Sequence, residues 1–285
     1  MKHKLIITAD DYGMCESVNR AIDACIEQKV VLSTNVMTNM DCADQAAVLK
    51  EKFPYVSVGL HYNFTVGKPI SPADKVRSLI NDDGTFLSYP QIRAKCKNGT
   101  YNFEEAACEM KAQYERYLEI CGAPDYWNTH ENVHVYPKVY QLFRDLSLDF
   151  GIKKMRSHQR VFIPAATGKK DKSLKWLLAE PVKQMMLNNW QSGSRRLGVT
   201  APDGILVRMN EEDKLSVPYM LSHISWKKNS IAELAIHPST DGNNPYFGEI
   251  TDQRVKEYEL FSDAAVLEIA EQNEIEIVGF EAVGK

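Results

Sequence analysis

The chain has 285 residues, 44% of them hydrophobic and 25% charged, the composition of an ordinary soluble globular protein. A formal net charge of −4 argues against a nucleic-acid partner, and no apolar run approaches the about 20 residues that a bilayer span needs. Six cysteines without CxxC or paired spacing read as reduced thiols of a cytoplasmic protein, and Asp10 and Asp11 interrupt any leader-like stretch.

Leu5, Ile6 and Ile7 form an apolar run too short for a helix, which predicts a buried strand. The run stops on two adjacent carboxylates, Asp10 and Asp11, followed by Tyr12 and Gly13. Val18, Ala21, Ile22, Cys25 and Ile26 then share one face of a helix. Residues 30–37 predict a second strand, 42–52 a helix, and 56–60 a third strand ending on His61. Residues 66–101 break this rhythm with Gly67, Pro69, Pro72, Gly84, Pro90 and Gly99, and an insertion of that length is usually functional. A long amphipathic helix over 103–121 follows, then a short strand over 125–129 ending on His130, and a helix over 137–150. A strand over 152–155 ends on Arg156. The pattern weakens across 157–202, with a helical excursion around 174–189. Beyond it come a strand over 205–209, a helix over 211–225, and a strand over 231–236 ending on His237 and Pro238. A helix over 252–272 and a last strand over 275–278 close the chain.

Strands that alternate with helices imply parallel pairing with helical crossovers. Seven to eight such units predict an α/β fold, a distorted (β/α) TIM-like barrel, against a doubly wound sheet as competitor. The expected organisation is one domain carrying two long insertions, about 66–101 and 157–202. One pattern favours the barrel: Asp10 with Asp11, His61, His130, Arg156 and His237 each follow a different predicted strand. Barrel enzymes assemble their sites there, because all those strand ends open onto one face.

Two tandem acids at a strand end are costly to hold together unless a cation sits beside them, so they point to a metal or to catalysis. His130 and His134 stand four apart in NTHENVH, but Glu131 is out of the HExxH frame. His130 is therefore the expected ligand, and His134 supports the loop or lines the cleft. One carboxylate and two imidazoles from separate strand ends make a three-ligand site with positions left open for water, a catalytic pattern.

The blocks ITADDYG with VNRAI, GLHYNFT, NTHENVHVYP and LAIHP, in that order, resemble the YdjC-like carbohydrate deacetylases, and NDDGTFL looks like a loop of the same family. The resemblance spans roughly residues 4–280. It implies that Asp11, His61 and His130 bind one divalent metal ion, that Asp10 is the general base, and that His237 lies near the leaving group. It also implies a distorted TIM-like barrel, often a homodimer, acting on small N-acetylated saccharides such as N-acetylglucosamine oligosaccharides. The chain departs from the family where Glu131 and Asn132 replace two histidines of SHHHVH, and where Cys15 replaces a serine.

Amide hydrolysis needs an activated water, stabilisation of an oxyanion and a proton for the departing amine, and a divalent ion supplies the first two. Asp10 is placed to take the proton of the water, and imidazole at His237 suits the amine. Arg156, His134 and Asn63 are the candidates for contact with substrate, Asn63 also for orienting its loop. Mixed oxygen and nitrogen ligation leaves magnesium, zinc, manganese and iron open. A phosphoesterase on the same ligands and a non-catalytic sugar-binding protein are the competing readings; retention of Asp10 weighs against the second.

Overall fold

The computed structural model describes residues 2–164, 174–208, 216–227, 230–248 and 250–284. The fold is built around β1 (His3–Tyr12), which pairs on one edge with β7 (Ile231–Ile236). Its other edge is shared: β8 (Ile275–Val278) takes the first half and β2 (Ser33–Val36) the second. The strands are all parallel; seven run β4-β3-β2-β1-β7-β6-β5, with β3 Ser57–Tyr62, β4 Trp127–Thr129, β5 Arg160–Ile163 and β6 Gly204–Arg208, and β8 joins as the eighth through β1 alone. Helices cover the outside of this half-barrel and inward side chains fill its inside, so both faces of β1 are covered and Leu5, Ile6 and Ile7 are all fully buried.

Side chains of β1 alternate between two environments, as pleating demands. Leu5, Ile7 and Ala9 pack outward among Val18, Ile22 and Ile26 of α1 (Glu16–Glu27). Ile6, Thr8 and Asp10 point the other way. At the bottom, Ile6 packs with Tyr126 and Phe280, whose rings stack at 3.7 Å. One layer up, Thr8 donates to Glu233. Above that stands Asp10. The inward row therefore changes from apolar to ionic as it rises towards the C-terminal ends of the strands.

The chain after Asp10 departs from a regular strand. Asp11 has φ 76°, and the register of β1 on β2 slips between Ala9 and Tyr12, a β-bulge. A regular strand would turn Asp11 outward, away from Asp10. The bulge returns it to the same end of the barrel, at a positive φ that aspartate tolerates better than most residues. Gly13, φ 95°, completes the turn where a Cβ would sit 3.0 Å from Ala43 Cα.

Several boundaries differ from those the sequence predicts. β1 runs on through both aspartates rather than stopping before them. The predicted strand over 152–155 is reduced to two isolated bridges, Trp127 with Met155 and Lys154 with Thr200. The chain there changes partner after one residue, which leaves no ladder. The helix predicted over 42–52 is a 3-10 turn, Ala43–Val48, leading into α2 (Leu49–Lys52). The first insertion contains α3 (Tyr89–Asn98), and the irregular second segment contains β5 and α6 (Leu174–Arg196). Between them, α4 (Phe103–Cys121) and α5 (Pro137–Asp149) match the predicted helices to within a residue. Of the helix predicted over 211–225, α7 (Val217–Ser222) is seen and 211–215 lie outside the described residues. The single helix predicted over 252–272 is two, α8 (Thr251–Phe261) and α9 (Ala265–Gln272), parted where Asp263 caps the backbone N–H of Ala265.

The first insertion is pinned to α4 by carboxylates. Glu109, fully buried, accepts the backbone N–H groups of Ile70 and Ser71, and Glu105 accepts that of Ser78. These bonds satisfy backbone donors that the irregular loop could not otherwise pair.

Candidate metal centre

Three side chains from three strands converge where the bulge delivers Asp11. His61, on β3, presents Nε2 at 3.2 Å from Asp11 Oδ1, and His130, just past β4, presents Nδ1 at 2.9 Å from the same oxygen. These three atoms lie within 4.8 Å of one another, the spacing of a ligand set, and all three residues are buried. Their chemistry suits a divalent ion: one carboxylate, two imidazoles and open positions. The Asn128 amide lies 2.5 Å from His61 Nδ1. A ring that gives Nε2 to a metal keeps its proton on Nδ1, and Asn128 is the partner within reach.

Asp10 stands beside this cluster without joining it. The Arg156 guanidinium grips it with two bonds, Nη1 to Oδ2 at 2.6 Å and Nη2 to Oδ1 at 2.7 Å. Asn35 adds a third at 2.6 Å and accepts the backbone N–H of Asp11, so one amide braces both aspartates. Arg156 turns its Nε to Glu233, 2.9 Å away. Burial opposes ionisation of Asp10, yet Arg156, His61 and His237 outweigh it and hold the carboxyl well below the usual range. Asp11 is likewise held low against burial, by His130 and Arg254. The same pairing raises His130 although burial works against its charge.

His237, after β7, places Nε2 3.7 Å from Asp10 Oδ2. Its backbone N–H donates to Glu257 Oε2 at 2.6 Å. Burial pushes the ring below its ordinary pKa although Asp11 and Asp10 pull the other way.

A cleft of about 610 Å³ opens over these groups, within the ordinary size of a small-molecule site. Its floor is Asp10, His61, His130, Arg156, His237 and Arg254, and its walls include Tyr89 and Pro90 of the first insertion and Tyr246 and Phe247. A second hollow adjoins it across Tyr89, Glu131 and Asn132, with His158 and Lys183 on its far wall.

The structure thus brings together Asp10, Asp11, His61, His130, Arg156 and His237. It does not bring His134 or Asn63 to the cleft. His134 is fully buried, with Thr129 Oγ1 2.5 Å from Nδ1 and His158 Nε2 2.7 Å from Nε2, and it braces the loop from behind. Asn63 accepts from the backbone of Thr65 and Val66 and donates to Asn39 and the Val66 carbonyl, which leaves nothing for a ligand. Arg156 lines the cleft with three of its donors already taken by Asp10 and Glu233.

Arg254 and Glu257 were not anticipated. Charged residues three apart on α8 read as a solvated helix face, yet Arg254, Glu257 and Phe261 form its buried stripe. The spacing i, i+3, i+7 was visible, but only the phenylalanine marked it as an inward face. Arg254 Nη2 reaches Asp11 Oδ2 at 2.6 Å, with its guanidinium 4.6 Å over the Phe247 ring.

The fold matches that of a crystal structure from Enterococcus faecalis V583, named as a candidate cellobiose-phosphate cleavage protein, with a TM-score of 0.73, 21% identity and 99% of each chain covered. A carbohydrate deacetylase of Danio rerio is 33% identical over 156 residues, 54% of this chain and 50% of that protein. A chitooligosaccharide deacetylase of Proteus mirabilis is 30% identical over 148 residues, 52% of this chain and 56% of the relative. The matched part is thus about half the length of these curated relatives. The family model described as YdjC-like protein matches residues 4–272, nearly the whole chain. With the half-barrel and the clustered site blocks, this shows that the chain belongs to the YdjC-like protein family.

Proposed function

We propose that this protein is a divalent-metal-dependent hydrolase that removes the acetyl group from an N-acetylated saccharide. The observation that carries the reading is the contrast between two neighbouring carboxylates at the cleft floor. Asp11 faces two imidazoles at ligand spacing, while Asp10 is held ionised beside them by Arg156. The deacetylase names of the Danio rerio and Proteus mirabilis relatives support the reaction class.

An ion held by Asp11, His61 and His130 would polarise the acetyl carbonyl and acidify water. Asp10 takes the proton of the attacking water. Its rigid grip by Arg156 and Asn35 fixes the direction in which that proton is accepted. His237, 3.7 Å from Asp10, relays the proton that Asp10 has taken from water and, as the acid, delivers it to the leaving amine. Glu257 fixes the backbone from which His237 projects. Tyr89, Tyr246 and Phe247 offer aromatic faces to sugar rings in the cleft.

Metal-loaded protein incubated with a panel of N-acetylated sugars and phosphomonoesters tests the reading. Acetate from the acetylated sugars is the expected result. Release of phosphate without acetate would favour the phosphoesterase alternative instead.

A further inference from the structure

The Asp11 carboxylate is divided between two kinds of partner. Oδ1 faces His61 Nε2 and His130 Nδ1, and Oδ2 is taken by Arg254 Nη2 at 2.6 Å. Arg254 is 2% exposed, and its Nε and Nη1 have no hydrogen-bond partner among the described residues. Burying a guanidinium with two unmatched nitrogens is costly. A divalent ion would by itself neutralise Asp11, and a fixed positive charge beside the ion repels it. Arg254 therefore carries a desolvation cost that its bond to Asp11 offsets only in part, and it opposes metal retention, so its position calls for another explanation.

Resting on the metal-site reading above, we propose that Arg254 is a positioning residue that confines Asp11 to ligation through one oxygen and holds metal affinity down. A carboxylate free at both oxygens can chelate an ion and fill one of its open positions. With Oδ2 held by Arg254, that position stays available to water or to the substrate carbonyl, as a catalytic site requires. The Phe247 ring, 4.6 Å from the guanidinium carbon, adds a cation–π contact that favours this placement of the side chain. The consequence is a reversal of the usual rule. Removing a partner that supports a ligand ordinarily weakens metal binding; removing Arg254 strengthens it.

Co²⁺ titrated into the metal-free protein, followed by visible absorption, tests this without reference to activity. Arg254→Gln is expected to bind Co²⁺ roughly tenfold more tightly than wild type, opposite in sign to the 10–100-fold loss typical of outer-sphere changes. Its visible bands weaken as the second carboxylate oxygen joins the ion and the coordination number rises. Arg254→Lys, which returns a charged donor, restores the wild-type spectrum. Arg254→Met keeps an apolar stem over Phe247 and carries the same expectation where the Gln variant does not fold. Unchanged or weaker Co²⁺ binding in the Gln or Met variant, with an unchanged spectrum, overturns the proposal and leaves the metal site standing. A wild-type protein that takes up no Co²⁺ overturns the metal site itself.

Discussion

Asp10 and Asp11 are covalent neighbours with opposite assignments, and the difference comes from residues far away in the chain. Arg156 lies 146 positions from Asp10, and Arg254 lies 243 from Asp11. The tandem acids were legible in the sequence as a site. Their separate roles came only from the family resemblance, because a bulge decides where Asp11 points and distant arginines decide what each acid touches. Asp11→Asn is expected to lose the metal, whereas Asp10→Asn keeps it and slows turnover by about 10²–10⁴-fold, the range for a positioned base. Metal analysis and steady-state rates on both variants check this, and the reverse pattern would exchange the two roles. A second titrating feature lies behind the cleft. Burial, with Arg156, Arg160 and Lys183, pushes His158 down to about 3, and His134 is also held low. In the unfolded chain both rings take up protons near pH 6.5, about the ordinary histidine value, while the folded protein keeps them neutral. Between those limits the unfolded state binds more protons, so stability is complete above about pH 6.5 and falls as pH drops towards 3. Urea midpoints from pH 7 to pH 4 should show this loss, on the order of a few kcal/mol, and His158→Gln should flatten it.

Elements with strong periodicity were readable almost to the residue: α4 over Phe103–Cys121, β7 over Ile231–Ile236 and β8 over Ile275–Val278. Others lacked a periodic signal because tertiary contacts make them. β5 is held by β6 on one edge and by Gln184 of α6, which accepts the N–H of Arg160, and its short run of Val161, Phe162 and Ile163 is a local strand signal that went unread. α3 also carried a local sign that went unread, the Ser88 and Gln91 capping box with Pro90 in the first turn. Close packing under the site also has an element-level test. β3 passes over the Tyr126 ring at Gly59, where an added Cβ would fall 2.6 Å from Cζ. Tyr126 cannot retreat, since its hydroxyl is bonded to Ser33 and to the Thr34 carbonyl and its face is stacked on Phe280. Gly59→Ala should therefore cost about 1–3 kcal/mol, the usual range for overpacking. Thermal unfolding measures it, and a variant as stable as wild type would mean that the barrel floor yields.

At the scale of the whole molecule, the barrel assignment was legible because strand-end residues pointed to one face, and the sheet order bears it out. The cleft was less legible. Most of its floor comes from residues that the motifs mark, but Arg254 enters from α8, Tyr89 from an insertion, and Tyr246 and Phe247 from the region between β7 and α8. No motif marks them. Among the described residues no helix is long and apolar enough to cross a membrane. Release of acetate is predicted to require an ion held by Asp11, His61 and His130. Protein stripped of metal and reloaded stepwise with a divalent ion, assayed for acetate from N-acetylglucosamine oligosaccharides, tests this requirement. Acetate release is expected to be absent in the stripped protein and to rise in proportion to bound metal up to a single equivalent. Full activity in the stripped protein, or no acetate at full occupancy, would contradict it.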